Sequence, residues 1–150
     1  MEFKDKIPLM VLMFQLEVAQ RLTALPGGKS YNPLSIFAQY HFSCTLEFVL
    51  SKKDFSPVPK VDSAVVRFVP HATPPFPVED EGFFFELVKR SFVHRRKKMI
   101  NNLKTPPFNA RQVEEACEAC GIDPGQRAET VSLENFARLS NILRKGSGVS

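Results

Sequence analysis

The chain has no tryptophan, two tyrosines, three histidines, three cysteines and only seven glycines among 150 residues. Three cysteines, with Cys44 isolated and Cys117 and Cys120 close together, build no disulfide framework and suit a reducing compartment. Cys117-Glu-Ala-Cys120 has C-x-x-C spacing, but no second pair completes a zinc site, and the pair falls near a helix end rather than at a strand-to-helix step. It is read as core packing or incidental surface, with no metal implied. His41, His71 and His94 lack ligand spacing. No Gly-rich phosphate loop, Gly-x-Ser-x-Gly turn or convincing carboxylate pair is present, so these residues hold no complete active site. Long apolar runs are also missing. The longest, Ile7 to Phe14, is far shorter than the roughly 20 residues a membrane span needs. Lys4 and Lys6 before that run imitate a signal peptide, yet Gln15 and Glu17 follow at once with no small-residue cleavage site. The expectation is a soluble, cytoplasmic protein with no membrane partner.

What is present is globular. Hydrophobic residues make up 43% of the chain and charged residues 24%, which excludes general disorder and fits one ordinary domain or two small ones. Fourteen phenylalanines supply core material. The formal charge of +4 is only mildly basic, but one dense patch can hold phosphate on a nearly balanced chain.

Leu9 to Phe14 is a continuous apolar run without alternation, the pattern of a strand buried on both faces in a helix-covered parallel sheet. A helix follows with Leu16, Ala19 and Leu22 on one face, ending at Pro26-Gly27-Gly28. Asn32-Pro33 starts another helix, with Leu34, Phe37, Ala38 and Tyr40 or His41 as its buried stripe. Cys44 to Leu50 and Ser63 to Val69 read as strands. Residues 1–70 thus form a mixed unit, and 71–81 a linker holding Pro74, Pro75 and Pro77. Residues 82–145 are helical without strands: a long helix over Gly82 to Lys104, one over Asn109 to Cys120 closed by Gly121, and one capped by Ser132. Residues 146–150 form a tail expected to be flexible.

Two features point to chemistry. The 82–104 helix carries Lys89, Arg90, Arg95, Arg96, Lys97, Lys98 and Lys104 against the single acid Glu86. A helical winding puts Arg90, His94, Lys97 and Asn101 on one ridge with Lys98 beside it. Arginine forks and lysine point charges both suit phosphate, and the acids that usually interleave on a solvated face are missing. The choice is between nucleic-acid contact and a solvated face. The second feature is Ser51 to Lys60, stiffened by Pro57 and Pro59. Its Phe55 either stacks on a base or tucks against the sheet, and Lys60 could meet a nearby phosphate.

Several stretches in order resemble one family. Gln15-Leu-Glu-Val-Ala-Gln-Arg21, Phe55-Ser-Pro-Val-Pro-Lys-Val-Asp-Ser-Ala-Val-Val-Arg67, His94-Arg-Arg-Lys97 with Asn101 and Leu103, and Gly121-Ile-Asp123 with Arg127-Ala-Glu129 are similar to KsgA-type ribosomal RNA adenine dimethyltransferases. The resemblance spans nearly the whole chain. It implies an α/β fold: the C-terminal portion of a class I, Rossmann-like methyltransferase sheet, then a small all-α domain. Leu9 to Phe14 becomes that sheet's fifth strand, with two antiparallel edge strands after it. The family's Gly-rich loop, its acidic residue for the cofactor ribose and its Asn-Leu-Pro-aromatic motif have no counterpart here. The chain therefore matches the C-terminal half or so of the enzyme.

The resemblance implies S-adenosylmethionine as cofactor, with most of its pocket missing from this chain. It implies dimethylation of two adjacent adenines near the 3′ end of small-subunit ribosomal RNA, with the immature small subunit as partner. Phe55 matches an aromatic that faces the flipped target adenine. Lys60, Arg90, Arg95, Arg96, Lys97, Lys98 and Lys104 are the candidate RNA contacts. Asn32, Pro33 and Ile100 depart from the family's pattern. A chain of this extent is expected to be inactive alone and to associate through the exposed edge at Leu9 to Phe14. The alternative is a non-catalytic RNA-binding module of ribosome assembly.

Overall fold

The computed structural model describes residues 7–146. They divide into two compact units, one comprising Ser30–Pro75 with the stretch ending at Leu25, the other Pro26–Lys29 with the stretch from Phe76 onward.

In the first unit β1 (Met10–Gln15) passes directly into α1 (Leu16–Leu22), and α2 (Pro33–His41) directly into β2 (Phe42–Leu50); β3 (Ser63–Pro70) completes the sheet. The strand order is β1-β3-β2. Both pairings are antiparallel, Met10 opposite Phe68 and Gln15 opposite Ser63, Phe42 opposite Pro70 and Leu50 opposite Ser63. β3 alternates cleanly, burying Ala64, Val66 and Phe68, as a strand with one covered face must. These pack with Ala19, Leu22 and Phe42. The Phe68 ring stands edge-on to Phe14 at 6.0 Å and to Phe42 at 5.9 Å. Fully burying such side chains stabilises by about 1.5–3 kcal/mol each. A register shift between Leu46 and Phe48 marks a bulge, beyond which Phe48 and Val49 are exposed.

The 9–14 run differs from its reading as a strand buried on both faces. Among the described residues β1 is a sheet edge paired only with β3, and Val11 and Met13 are 56% and 55% exposed. No parallel pairing occurs among the described residues.

α2 begins where Asn32-Pro33 predicts: Leu34 N donates to Asn32 Oδ1 at 2.8 Å, and Asn32 N to Ser35 Oγ at 3.1 Å. Its buried face is Ser35, Ile36 and Tyr40, and Leu34 is exposed. Polar anchoring sets that rotation. Ser35 Oγ donates to the Arg21 carbonyl at 2.5 Å, and Gln39 Nε2 to the Leu22 and Ala24 carbonyls at 3.1 and 2.8 Å. One row of α2 thereby bonds the carbonyls at and just after the end of α1, where the helix ladder runs out of donors.

The second unit contains α3 (Glu81–Ser91), α4 (Met99–Leu103), α5 (Ala110–Ala119) and α6 (Leu133–Gly146). Asp80 caps α3 through Phe83 N at 2.9 Å and accepts from Arg144 of α6 at 2.6 Å. Asn109 and Gln112 form a capping box on α5. Gly121, at φ +69°, takes the left-handed turn after it. Ser132 Oγ accepts from Asn135 N as α6 begins. Phe84, Val88, Phe92, Met99 and Leu103 are all buried, as their spacing predicts.

The continuous helix expected over 82–104 is broken. It stops at Ser91 and resumes at Met99. Asn102 Nδ2 donates to the Ser91 carbonyl at 2.6 Å and to the His94 carbonyl at 3.4 Å, taking over acceptors that the helix ladder would use. Met99 N leaves the ladder for the Gln126 carbonyl at 2.9 Å. The intervening cations sit on the loop between α3 and α4. The ridge of Arg90, His94, Lys97 and Asn101 therefore does not form. No helix among the described residues is long and apolar enough to cross a membrane.

Candidate nucleic-acid interface

Arg95, Arg96, Lys97 and Lys98 are exposed on the loop between α3 and α4. Arg95 Nη2 donates to the Lys29 carbonyl at 3.1 Å. Gly27, at φ +85°, turns the Pro26–Lys29 segment so that its N–H meets the Glu129 carbonyl at 2.7 Å. The Met99–Gln126 bond ties the loop's far end to the same neighbourhood. Three stretches remote in sequence thus converge within one unit and carry Lys29, Arg95, Arg96, Lys97, Lys98 and Arg127, all exposed. One carboxylate stands among them: Glu129 lies 3.5 Å from Arg95 and 3.9 Å from Arg127. Among the described residues Arg96, Lys97 and Lys98 form no ion pair. The sequence reading missed Lys29 and Arg127, because only the Gly27 turn and the Gln126 bond bring them beside 95–98.

Two of the other three cations expected at the interface, Arg90 and Lys104, are engaged internally. Arg90 Nη2 donates to the Thr105 and Pro106 carbonyls at 3.0 and 3.1 Å and to Thr105 Oγ1. Its guanidinium lies 5.9 Å from the Phe108 ring centre. Lys104 Nζ pairs with Glu114 at 3.0 Å. Arg90 closes the 105–108 turn, and the half-exposed Lys104 pair is weak enough to yield to a stronger anion.

In the first unit the Phe55 loop is closed on itself. Ser51 Oγ accepts from Lys53 N and Asp54 Oδ2 from Ser51 N, capping the short 3-10 turn Lys52–Asp54. Phe55 follows as the residue that ends this turn and is half-buried; Lys60 is exposed on the same loop. The Ser56–Pro57 peptide is cis. The Phe55 side chain is thus neither fully buried nor fully exposed.

The cysteine pair belongs to the core. Cys117 and Cys120 are buried on and just after α5, and burial pushes the Cys117 thiol up to about 11 and raises that of Cys120. Burial likewise pushes Cys44 up to about 11. Among the described residues no three His, Cys, Asp or Glu side chains group as metal ligands.

Nor do the described residues fit an S-adenosylmethionine cradle. The glycines with positive φ, Gly27 and Gly121, follow helices rather than strands, and β1 enters α1 with no intervening turn. A glycine-rich strand-to-helix turn is what close backbone approach to a nucleoside cofactor needs.

The family model described as ribosomal RNA adenine dimethylase matches residues 3–145. A ribosomal RNA small subunit methyltransferase A of Geobacter metallireducens is 47% identical over 142 residues, covering 93% of this chain and 52% of the relative. The protein of that name from Geobacter sulfurreducens is 43% identical over 150 residues, covering 99% and 54%. The chain spans about half the length of the curated relatives it matches. A dimethyladenosine transferase from Plasmodium falciparum has a TM-score of 0.72 at 20% identity, over 92% of this chain and 59% of that one. The 23S rRNA methyltransferase ErmE has a TM-score of 0.66 at 24% identity, over 92% and 55%. The mixed α/β fold is shared with both.

Proposed function

Because the chain belongs to the ribosomal RNA adenine dimethylase family, we propose that it supplies the RNA-facing part of an S-adenosylmethionine-dependent activity that dimethylates two adjacent adenines near the 3′ end of small-subunit ribosomal RNA. The observation that carries this reading is the convergence of Lys29 and Arg127 on the Arg95–Lys98 loop. Such a surface binds phosphates of folded RNA and supplies affinity and register rather than chemistry. Phe55 faces the target. An adenine amine in a stacked pair is out of reach of a methyl donor, so the base must leave the stack. An aromatic platform then returns about 1–3 kcal/mol of stacking to the extruded base and holds its amine in one orientation. S-adenosylmethionine, when bound, supplies the methyl group; no residue described here holds it, and this chain's part is confined to the RNA. The partner on this reading is the immature small ribosomal subunit, and the compartment is the cytoplasm.

The exposed Arg96, Lys97 and Lys98, which form no ion pair among the described residues, equally suit a second reading, a non-catalytic module that binds ribosomal RNA during assembly. Joining the chain to the N-terminal half of the Geobacter metallireducens relative separates the two. On the first reading the chimaera forms dimethyladenosine in immature small subunits, seen by mass spectrometry of the RNA, whereas the chain alone forms none. A folded chimaera that binds subunits and leaves them unmethylated selects the second.

A further inference from the structure

The closed loop between β2 and β3 does more than carry Phe55. Lys52 N donates to Asp62 Oδ1 at 2.8 Å, and Leu16 N to the Asp62 carbonyl at 2.9 Å. Both bonds draw the loop against the start of α1 and leave a cleft of about 350 Å³ lined by Leu16, Glu17, Gln20, Lys52, Lys60 and Asp62. That volume is in the range of small-ligand sites, roughly 300–1,000 Å³.

The charges in the cleft are unevenly matched. Glu17 is paired with Arg21, and Asp62 is engaged by the Lys52 backbone. Asp62 keeps its charge, since a backbone N–H does not neutralise a carboxylate, but among the described residues neither Lys52 nor Lys60 forms an ion pair. Two lysines therefore line one cleft with no carboxylate paired to either. Phe55 lies between these lysines in the chain, and its N–H donates to the Lys52 carbonyl at 3.4 Å. Phe55 and Lys52 belong to one hydrogen-bonded turn, and Lys60 follows on the same loop.

We propose that this cleft is a phosphodiester subsite, in which Lys52 and Lys60 hold the backbone phosphate adjoining the nucleotide whose base stacks on Phe55. The inference rests on the target-facing reading of Phe55. Lysine suits the task, because a compact charge on a flexible stem follows a phosphate that swings as its nucleotide leaves the stack. The subsite holds the flipped nucleotide at its backbone while the ring holds it at its base.

The test uses the 150-residue chain and a series of short RNA oligonucleotides with one central adenosine, each carrying a single uncharged methylphosphonate linkage. Binding is read by fluorescence anisotropy. One linkage beside the adenosine should weaken binding about tenfold, the loss expected when a charge-assisted contact is removed. In Lys52→Ala/Lys60→Ala that linkage should cost nothing further. In Arg95→Ala/Arg96→Ala/Lys97→Ala it should still cost about tenfold, although overall affinity falls. Lys53→Ala, a cation of the same turn outside the cleft lining, should behave as wild type. Equal sensitivity in wild type and the Lys52/Lys60 variant overturns the subsite. If in that case Phe55→Ala removes only the preference for oligonucleotides that carry the adenosine over those with an abasic site in its place, the target-facing reading survives without it. If the wild-type chain binds no RNA, both fall.

Discussion

The Arg95 guanidinium donates to the Lys29 carbonyl at 3.1 Å, across 66 residues of sequence. That bond turns two separate cations into neighbours and makes the basic surface a product of folding rather than of a local run. Replacing Arg95, Arg96 and Lys97 with alanine should weaken RNA binding at least roughly tenfold and lower the slope of log affinity against log salt by about 2. Titration at several salt concentrations measures both, and an unchanged slope would return the loop to a merely solvated surface.

Lys29 supplies a sharper check on the composite surface. Lys29→Ala should lower the same slope by about 1, as for one phosphate contact, despite its distance in sequence from the basic loop. A slope equal to wild type would detach the Pro26–Lys29 segment from the interface.

Phe55→Ala, made in the chimaera that restores methyl transfer, should lower the methylation rate far more than RNA affinity. A stacking platform orients the target base, while most of the affinity comes from phosphate contacts. Single-turnover rates and equilibrium binding on the same RNA separate the two. Equal losses would make Phe55 a general RNA contact or a packing residue.

Arg90 and Asn102 should register in stability and not in charge. Arg90→Ala takes the Arg90 donor from the Pro106 carbonyl and leaves the Thr105 carbonyl only its bond from Phe108 N, and should cost about 1 kcal/mol. Its salt slope for RNA should match wild type. Asn102→Ala releases the Ser91 and His94 carbonyls, but it also removes the buried Asn102 Oδ1, which has no partner among the described residues. The two effects offset in part, again leaving a loss of about 1 kcal/mol. Urea denaturation followed by circular dichroism reads both.

The thiols set an alkaline limit. Cys44 and Cys117 are pushed up to about 11 in the folded chain, whereas exposed thiols ionise near ~8.5. Between those values the unfolded chain has released protons that the folded chain retains. Stability from these groups is therefore complete below about pH 8 and falls as pH rises toward 11. Urea midpoints measured from pH 7 to 10 should decline, and Cys44→Ala should flatten the decline. A midpoint that climbs across that range would contradict the burial assigned to these thiols.

The elements legible in the sequence were those with local causes. The run Ser63 to Val69 reads as a strand and is β3, Asn32-Pro33 marks the start of α2, and Gly121 the end of α5. The break in the 82–104 pattern was not legible, because its apolar positions keep helical spacing on both sides. What ends α3 is a side-chain amide at Asn102 and a carbonyl at Gln126, neither of which leaves a mark near Ser91. The rotation of α2 was hidden for a similar reason, since Ser35 and Gln39 face α1 to satisfy its carbonyls, and a hydrophobic count treats them as outward. At the candidate interface the basic residues of 95–98 were visible as a run, while Lys29 and Arg127 needed the Gly27 turn to reach it. Arg90 looked equally available in sequence, and only the fold shows it closing the 105–108 turn.

The open flank of β1 has a consequence in time rather than in energy. Antiparallel pairing directs alternate backbone amides of Met10–Gln15 toward β3 and the rest away from it. The first set should trade protons for deuterons only when the sheet opens, and the second at nearly the pace of bare peptide. Deuterium uptake along this strand should therefore read fast, slow, fast, slow, residue by residue. Any strand that comes to lie along that flank erases the rhythm, so six amides report how often the flank is occupied, with no attached probe and no change to the sequence.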